Sequence, residues 1–501
     1  MSTNEKKLKP NHELKTRRDF LAEGLIAGGG MYLAPTLLTL LTQKVEAQSA
    51  LTACPPINLN NNFIPVISIE LAGGSNIAGR QVMVGKIGGQ TDYINDYRSL
   101  GLLAPEAPAN APGKISSELG LRFHTDGGHY KGIREIFNND LSPLTNGKTN
   151  GFIMCTLSND DTGNNQFVPS HWIVKAGRRG ALTSILGTSS SNSGTRSKTA
   201  MNSYNPAYHP ARISSINSAT GLASFEGSFA SGYSAVMSGS TSLAEKILRR
   251  INRLSDAQIA SFSQQDLSTQ LKQVTSNNYM GSRCQMGGSF VSDDLNVSLD
   301  AQMNQAFPGL LGTGQGSDGI KAQASIIKLV LDGYAAAGNI ELGGYDYHGR
   351  DSSDGANSPE NKDLEAGRLI GRILKAAQLK NKPVLIHVFT DGAVSFSESI
   401  DPVTGRNVPV SDSGQRSAAY VLCYKPGGIV TGRNTKNQIG AFKNGGTVDT
   451  TANSISNSVR HQAHAFIANY LALHGLEGGY TSVVDMDLFP GSKLDEILFF
   501  T

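Results

Sequence analysis

The chain has 501 residues, 39% hydrophobic and 17% charged, with 56 glycines and a formal net charge of +3. That is enough apolar material for one large α/β domain, and the charge is too small for nucleic acid to be the main partner. Residues 1–47 hold 7 Lys/Arg against 5 Asp/Glu, so the remainder carries only 37 against 36. The four cysteines, Cys54, Cys155, Cys284 and Cys423, are widely spaced, which excludes a disulfide scaffold and a zinc pattern. One or two disulfides remain open if the protein is exported.

Residues 1–47 read as an address. Thr16-Arg17-Arg18-Asp19-Phe20-Leu21 closely resembles the twin-arginine motif that sends folded proteins across a bacterial inner membrane. The apolar stretch from Gly24 to Leu41 is broken by Gly28-Gly29-Gly30 and Pro35, too weakly hydrophobic for a stable transmembrane anchor. Val45-Glu46-Ala47 offers small residues for a signal peptidase. The expected partner during export is therefore the twin-arginine translocation machinery, and the expected location is periplasmic or secreted. Leu51-Thr52-Ala53-Cys54 offers a lipoprotein alternative, ranked second because polar residues separate it from the apolar run.

Residues 48–501 read as a single domain. Val66 to Leu71 is a β-branched strand ending in Gly73-Gly74-Ser75-Asn76. A helix is predicted from Tyr130 to Phe137 and a second buried strand from Asn150 to Leu157. Asn146-Gly147-Lys148-Thr149 looks like the tail of a phosphate-binding loop, but Ser142 stands where that motif needs Gly and a strand follows, so no nucleotide site is expected. Ser170-His171-Trp172 follows, a group read first as packing.

Residues 184–318 are predicted to be an insertion. Its first part, 184–242, is rich in Ser, Gly and Asn and reads as loops and short strands. Its second part opens with the capping box Ser242-Leu243-Ala244-Glu245. Behind that box, Leu243, Ile247, Ile251 and Leu254 make one helical face.

Ile320, Ala324, Ile327, Leu331 and Tyr334 predict a helix running to Gly338. The strand Asn339 to Gly343 then delivers Asp346 and His348 just past a Gly-Gly break. Ser358-Pro359 caps a further helix that buries Leu364, Ile370, Ile373, Leu374 and Ala377. Pro383 to Phe389 is a strand buried on both faces and ends at Thr390-Asp391-Gly392. A loop, Ser395 to Arg416, carries Asp412. Tyr420 to Tyr424 is another strand, and a helix spans 459–474. Alternating strands and helices imply a three-layer α/β/α fold with a central, mostly parallel sheet. Strands 66–71, 339–343 and 383–389 running parallel would bring Asn76, Asp346, His348 and Asp391 to one sheet edge, with Asp412 joining from its loop.

These residues carry a resemblance to a family of twin-arginine-exported bacterial proteins of unknown function placed in the alkaline phosphatase/sulfatase superfamily. It runs from about Val66 to Leu476, outside the insertion. Gly73-Gly74-Ser75-Asn76 is similar to the family's Gly-Gly-x-Asp, with Asn for Asp. Leu121 to His124 looks like its Leu-His motif, Ser170-His171-Trp172 like its Ser-His-Phe, and Gly343 to His348 like its Gly-Gly-aromatic-Asp-Thr-His. Thr390-Asp391-Gly392 stands where the family has Ser-Glu-Phe-Gly-Arg, and Asp412-Ser413-Gly414 where it has Asp-His-Gly.

The resemblance implies a metal-dependent hydrolase of phosphate or sulfate esters. Asp346, His348, Asp391, Asp412 and Asn76 would be its metal ligands, with Ser170 or Thr390 as nucleophile. The replaced residues leave ligands for one divalent metal ion, not two. The alternative is a non-catalytic exported binding or scaffold protein that retains the fold.

Overall fold

A computed structural model of the chain describes residues 63–158, 169–178, 180–188, 210–222, 292–390, 392–428, 430–433, 435–452, 455, 458–484 and 486–500. All of them belong to one compact unit, 56–229 with 289–501. The twin-arginine segment, Cys54, Cys284, the helical face from Leu243 to Leu254 and Asp391 lie outside the described residues.

In chain order the main strands are β1 (Val66–Leu71), β2 (Thr149–Cys155), β3 (Thr183–Gly187), β4 (Ala211–Arg212), β5 (Ala335–Leu342) and β6 (Val384–Thr390). They are followed by β7 (Val394–Ile400), β8 (Asn407–Asp412), β9 (Ala418–Tyr424) and β10 (Gln438–Ile439). Eight of them form one sheet in the order β10-β2-β9-β6-β1-β5-β3-β4, while β7 and β8 make a separate antiparallel hairpin. The helices that cover the sheet are α1 (Gly128–Ile136), α2 (Ser170–Lys175), α3 (Asp318–Leu331), α4 (Pro359–Leu379) and α5 (Val459–Ala472).

Period-two alternation within the strands builds both cores. Ile67, Ile69 and Leu71 of β1, Ile386 and Val388 of β6, and Tyr420 and Leu422 of β9 share one apolar cluster with Ile133, Ile327 and Ile370 of α1, α3 and α4. Val66, Leu385, Phe389, Ala419 and Val421 face the opposite way and pack with Trp172 of α2 and Phe466 of α5. This is the expected three-layer α/β/α fold. Trp172 is buried against the rings of His171 and His464.

The sheet is mostly parallel, as expected, and four details of the fold were not specified by the local pattern. First, one strand is reversed: β9 pairs antiparallel with both β6 and β2. The β7–β8 hairpin follows the carboxyl end of β6, and the chain re-enters the sheet from that edge without a crossover, which forces the reversal. Second, that hairpin occupies the stretch expected to be a loop from Ser395. Third, β5 starts four residues early. Helix α3 ends at Leu331 and Gly333 turns the chain at φ +84, so Ala335 to Gly338 are strand. A Cβ at Gly338 would lie 2.5 Å from Ile326 of α3, a closeness only glycine allows there. Fourth, β3 and β4 are strands of the main sheet that fall within the expected insertion.

Cys155 and Cys423 are free and buried, on opposite faces of the sheet, so they cannot pair with each other. Among the described residues no helix is long and apolar enough to cross a membrane.

His387, in the middle of β6, is 1% exposed and lies between the rings of Phe389 and Phe466, and neither ring nitrogen has a hydrogen-bond partner. Burial pushes its pKa down to about 3, and does the same to His129 and His464. An unfolded histidine takes up its proton near 6.5, so the folded state loses ground as pH falls below that value. For His387 alone the loss reaches about 2 kcal/mol at pH 5. Asp363, raised to about 6 by burial, takes up its proton earlier when folded and offsets part of this below pH 6. Urea unfolding of His387→Phe across pH 7.5 to 4.5 is expected to show a flatter stability profile than wild type. Parallel profiles would contradict this.

Candidate metal site at the sheet edge

β1 pairs in register with β5 and β6, from Val66 opposite Ala337 and Leu385 to Leu71 opposite Leu342 and Thr390. The three strands therefore end level, and their following loops emerge together at the carboxyl edge. Backbone bonds stitch the first two loops: Ala72 N–H donates to the Leu342 carbonyl (2.9 Å) and Tyr345 N–H to the Ala72 carbonyl (3.0 Å). Gly73, at φ +118, leaves no room for a side chain, since a Cβ would sit 2.4 Å from the Asp346 nitrogen. Gly74, at φ +114, presses on Ala393 past the end of β6. The loop after β1 thus runs between the other two.

Past β5 the chain alternates again. Tyr345 and Tyr347 are fully buried, with Tyr347 Oη donating to Asp363 Oδ1 (2.7 Å) and Tyr345 Oη to the Lys362 carbonyl (2.7 Å). Asp346 and His348 consequently face outward. Asp412 reaches them from the end of β8, whose hairpin is tied back where Gly349 N–H donates to the Pro409 carbonyl (3.2 Å).

His348 Nδ1 contacts Asp346 Oδ1 and lies 3.1 Å from Asp412 Oδ1. One ligand atom from each of the three residues falls within 4.8 Å of the others. Their side chains are 37%, 44% and 33% exposed for Asp346, His348 and Asp412, so the group is open to solvent. Two carboxylates against one imidazole keep it net negative whether or not the imidazole is protonated. Among the described residues it is the one cluster of three His, Cys, Asp or Glu side chains with this geometry. Its mixed oxygen and nitrogen donors fit one divalent cation with further positions left open.

The other expected site residues lie elsewhere or do other work. Asn76 sits at the same edge, but its Oδ1 accepts from Val394 N–H (2.9 Å), so the amide ties the first loop to β7. Thr390 Oγ1 accepts from Ser75 N–H (3.0 Å) and donates to the Leu71 carbonyl (2.9 Å), holding the ends of β1 and β6 together in the core. Ser170 is fully buried in α2 and donates to Asn339 Oδ1 in mid-strand. Asn339 lies three residues short of the end of β5, roughly 10 Å back along the strand. Both hydroxyls are taken up by these bonds. Asp391 lies outside the described residues.

Asp363 went unnoticed in the sequence. It is the buried start of the α4 stripe, 1% exposed, where Leu364 was expected and is only half-buried. Its spacing to Ala366, Ile370 and Ile373 was the available signal: a carboxylate on an apolar helical face.

No family model, curated protein or solved structure matches the chain.

Gly73 supplies the prediction for this edge. Gly73→Ala is expected to destabilise by about 2–4 kcal/mol, combining a rare backbone conformation with a collision at Asp346. Gly349→Ala, also at positive φ (+68) but with nothing within 4 Å of its Cβ, is expected to cost about 1 kcal/mol. Equal costs in denaturant unfolding would contradict the close approach.

Proposed function

We propose that the chain is an exported protein of the alkaline phosphatase/sulfatase type that binds one divalent cation through Asp346, His348 and Asp412 and acts on a phosphate or sulfate ester. The observation that carries this reading is the convergence of the three side chains at the carboxyl edge, from loops far apart in sequence. A divalent cation held there supplies Lewis-acid polarisation of a phosphoryl or sulfuryl oxygen.

The chain's own residues set the rest. Asp346 and Asp412 provide anionic oxygens, and His348 bridges them. Arg416 Nη1 donates to Ser413 Oγ (2.9 Å), next to Asp412, and the guanidinium has no carboxylate partner among the described residues. Burial lowers its pKa, and an unpaired guanidinium at this position favours an anionic ligand.

A second reading is a non-catalytic exported binding or scaffold protein. It is favoured by the buried, hydrogen-bonded state of Ser170 and Thr390, which leaves the cluster without either expected nucleophile.

Three measurements test the proposal. Calorimetric titration with Mn²⁺ or Zn²⁺ is expected to show one site, weakened at least about tenfold in Asp346→Asn and Asp412→Asn. Hydrolysis of a generic phosphate or sulfate ester that follows cation occupancy supports the hydrolase reading, whereas cation binding without turnover supports the scaffold. No binding overturns the site. For export, replacing Arg17 and Arg18 with Lys is expected to leave unprocessed precursor in the cytoplasm; processing at the normal rate would contradict the twin-arginine route.

A further inference from the structure

The outward pair Asp346 and His348 is interrupted by Tyr347, whose ring is fully buried. Tyr347 Oη donates to Asp363 Oδ1 (2.7 Å), and the other carboxylate oxygen of Asp363 accepts from Gln81 Nε2 (2.6 Å) and lies 3.6 Å from Arg80 Nε. Gln81 Oε1 accepts in turn from His129 N–H at the start of α1 (3.1 Å), and the Arg80 guanidinium reaches on to Glu360. A Cβ at Gly128 would lie 2.4 Å from the Asp363 Cβ, so α1 and α4 meet closely here. Asp363 therefore ties the segment after β5 to the loop after β1 and to two helices.

We infer that Asp363 is a positioning residue: through Tyr347 it holds the segment 345–350 so that Asp346 and His348 face outward together. A free carboxylate in the core is costly unless its oxygens are satisfied, and here both are. A one-residue slip of the segment would exchange its inward and outward side chains, burying Asp346 and expelling Tyr347. The Tyr347–Asp363 bond opposes that slip. It supplies for this site what a supporting hydrogen bond supplies for ligands generally, a fixed orientation.

The charged and titratable groups facing Asp363 are Arg80 from the loop after β1, Tyr345 and Tyr347 after β5, Glu360 on its own helix, Arg406 from the hairpin turn and Tyr420 from β9. Burial raises the Asp363 pKa to about 6 and Arg80 opposes the rise, so the carboxylate that Tyr347 meets at neutral pH is ionised.

The inference rests on the proposed cation site for its consequence, but its test does not. Tyr347→Phe keeps the ring and removes the bond; Asp363→Asn keeps one acceptor oxygen for Tyr347 and turns the other, which Gln81 meets, into a donor. The amides of Tyr345, Gly349 and Arg350, bonded to Ala72, Pro409 and Tyr347 carbonyls, report the segment directly by hydrogen exchange. Tyr347→Phe is expected to speed their exchange about tenfold without altering that of β1 and β6, and to weaken Mn²⁺ binding about tenfold. Asp363→Asn, whose amide N–H would oppose Gln81 Nε2 and Arg80, is expected to speed exchange of the same three amides as well. Unchanged exchange of the three amides in Tyr347→Phe, or equal acceleration throughout the protein, would overturn the inference. If wild type takes up no Mn²⁺, the cation reading falls while the exchange contrast still decides the role of Asp363.

Discussion

The level ending of β1, β5 and β6 is the constraint on which the rest of the structure depends. Parallel pairing in register sends three loops out of one edge at one height, and Gly73 and Gly74 let the middle loop fit between its neighbours. Asn76 and Thr390 then fasten these loops to each other with buried hydrogen bonds. A cluster of two carboxylates and an imidazole follows, because the segment after β5 alternates and the β7–β8 hairpin folds back over it.

Like charges crowd at this cluster, and the surrounding structure holds them there. The two tyrosines that flank Asp346 are buried and hydrogen-bonded, so the segment cannot relax by turning its acid inward. Asp412 is fixed by the hairpin and by Ser413 N–H, which donates to the Ala393 carbonyl (2.8 Å). Repulsion between Asp346 and Asp412 would be eased by a cation held between them.

Much of this was legible in the sequence. The strands around Val66, Phe152, Ile340 and Leu385 announce themselves as apolar runs with Gly or polar breaks, and Asp346 and His348 stand where one of them stops. What the sequence hid depends on long-range geometry. The reversal of β9 follows from where the hairpin leaves the sheet, which no local pattern encodes. The hairpin itself had a signal, since Val394 and Phe396 alternate with serines, but the polar composition masked it. Asn76 and Ser170 have residue types suited to ligation or catalysis, and only their partners show that they serve the core. Asp363 is the converse case, a charged residue whose place within an apolar helical stripe was the clue.

The central claim is that Asp346, His348 and Asp412 form one cation site at the carboxyl edge of the sheet. Anomalous X-ray scattering from crystals grown with Mn²⁺ tests it most directly. The account predicts a single strong peak within bonding distance of all three side chains. Strong peaks elsewhere on the protein and none among these residues would contradict it.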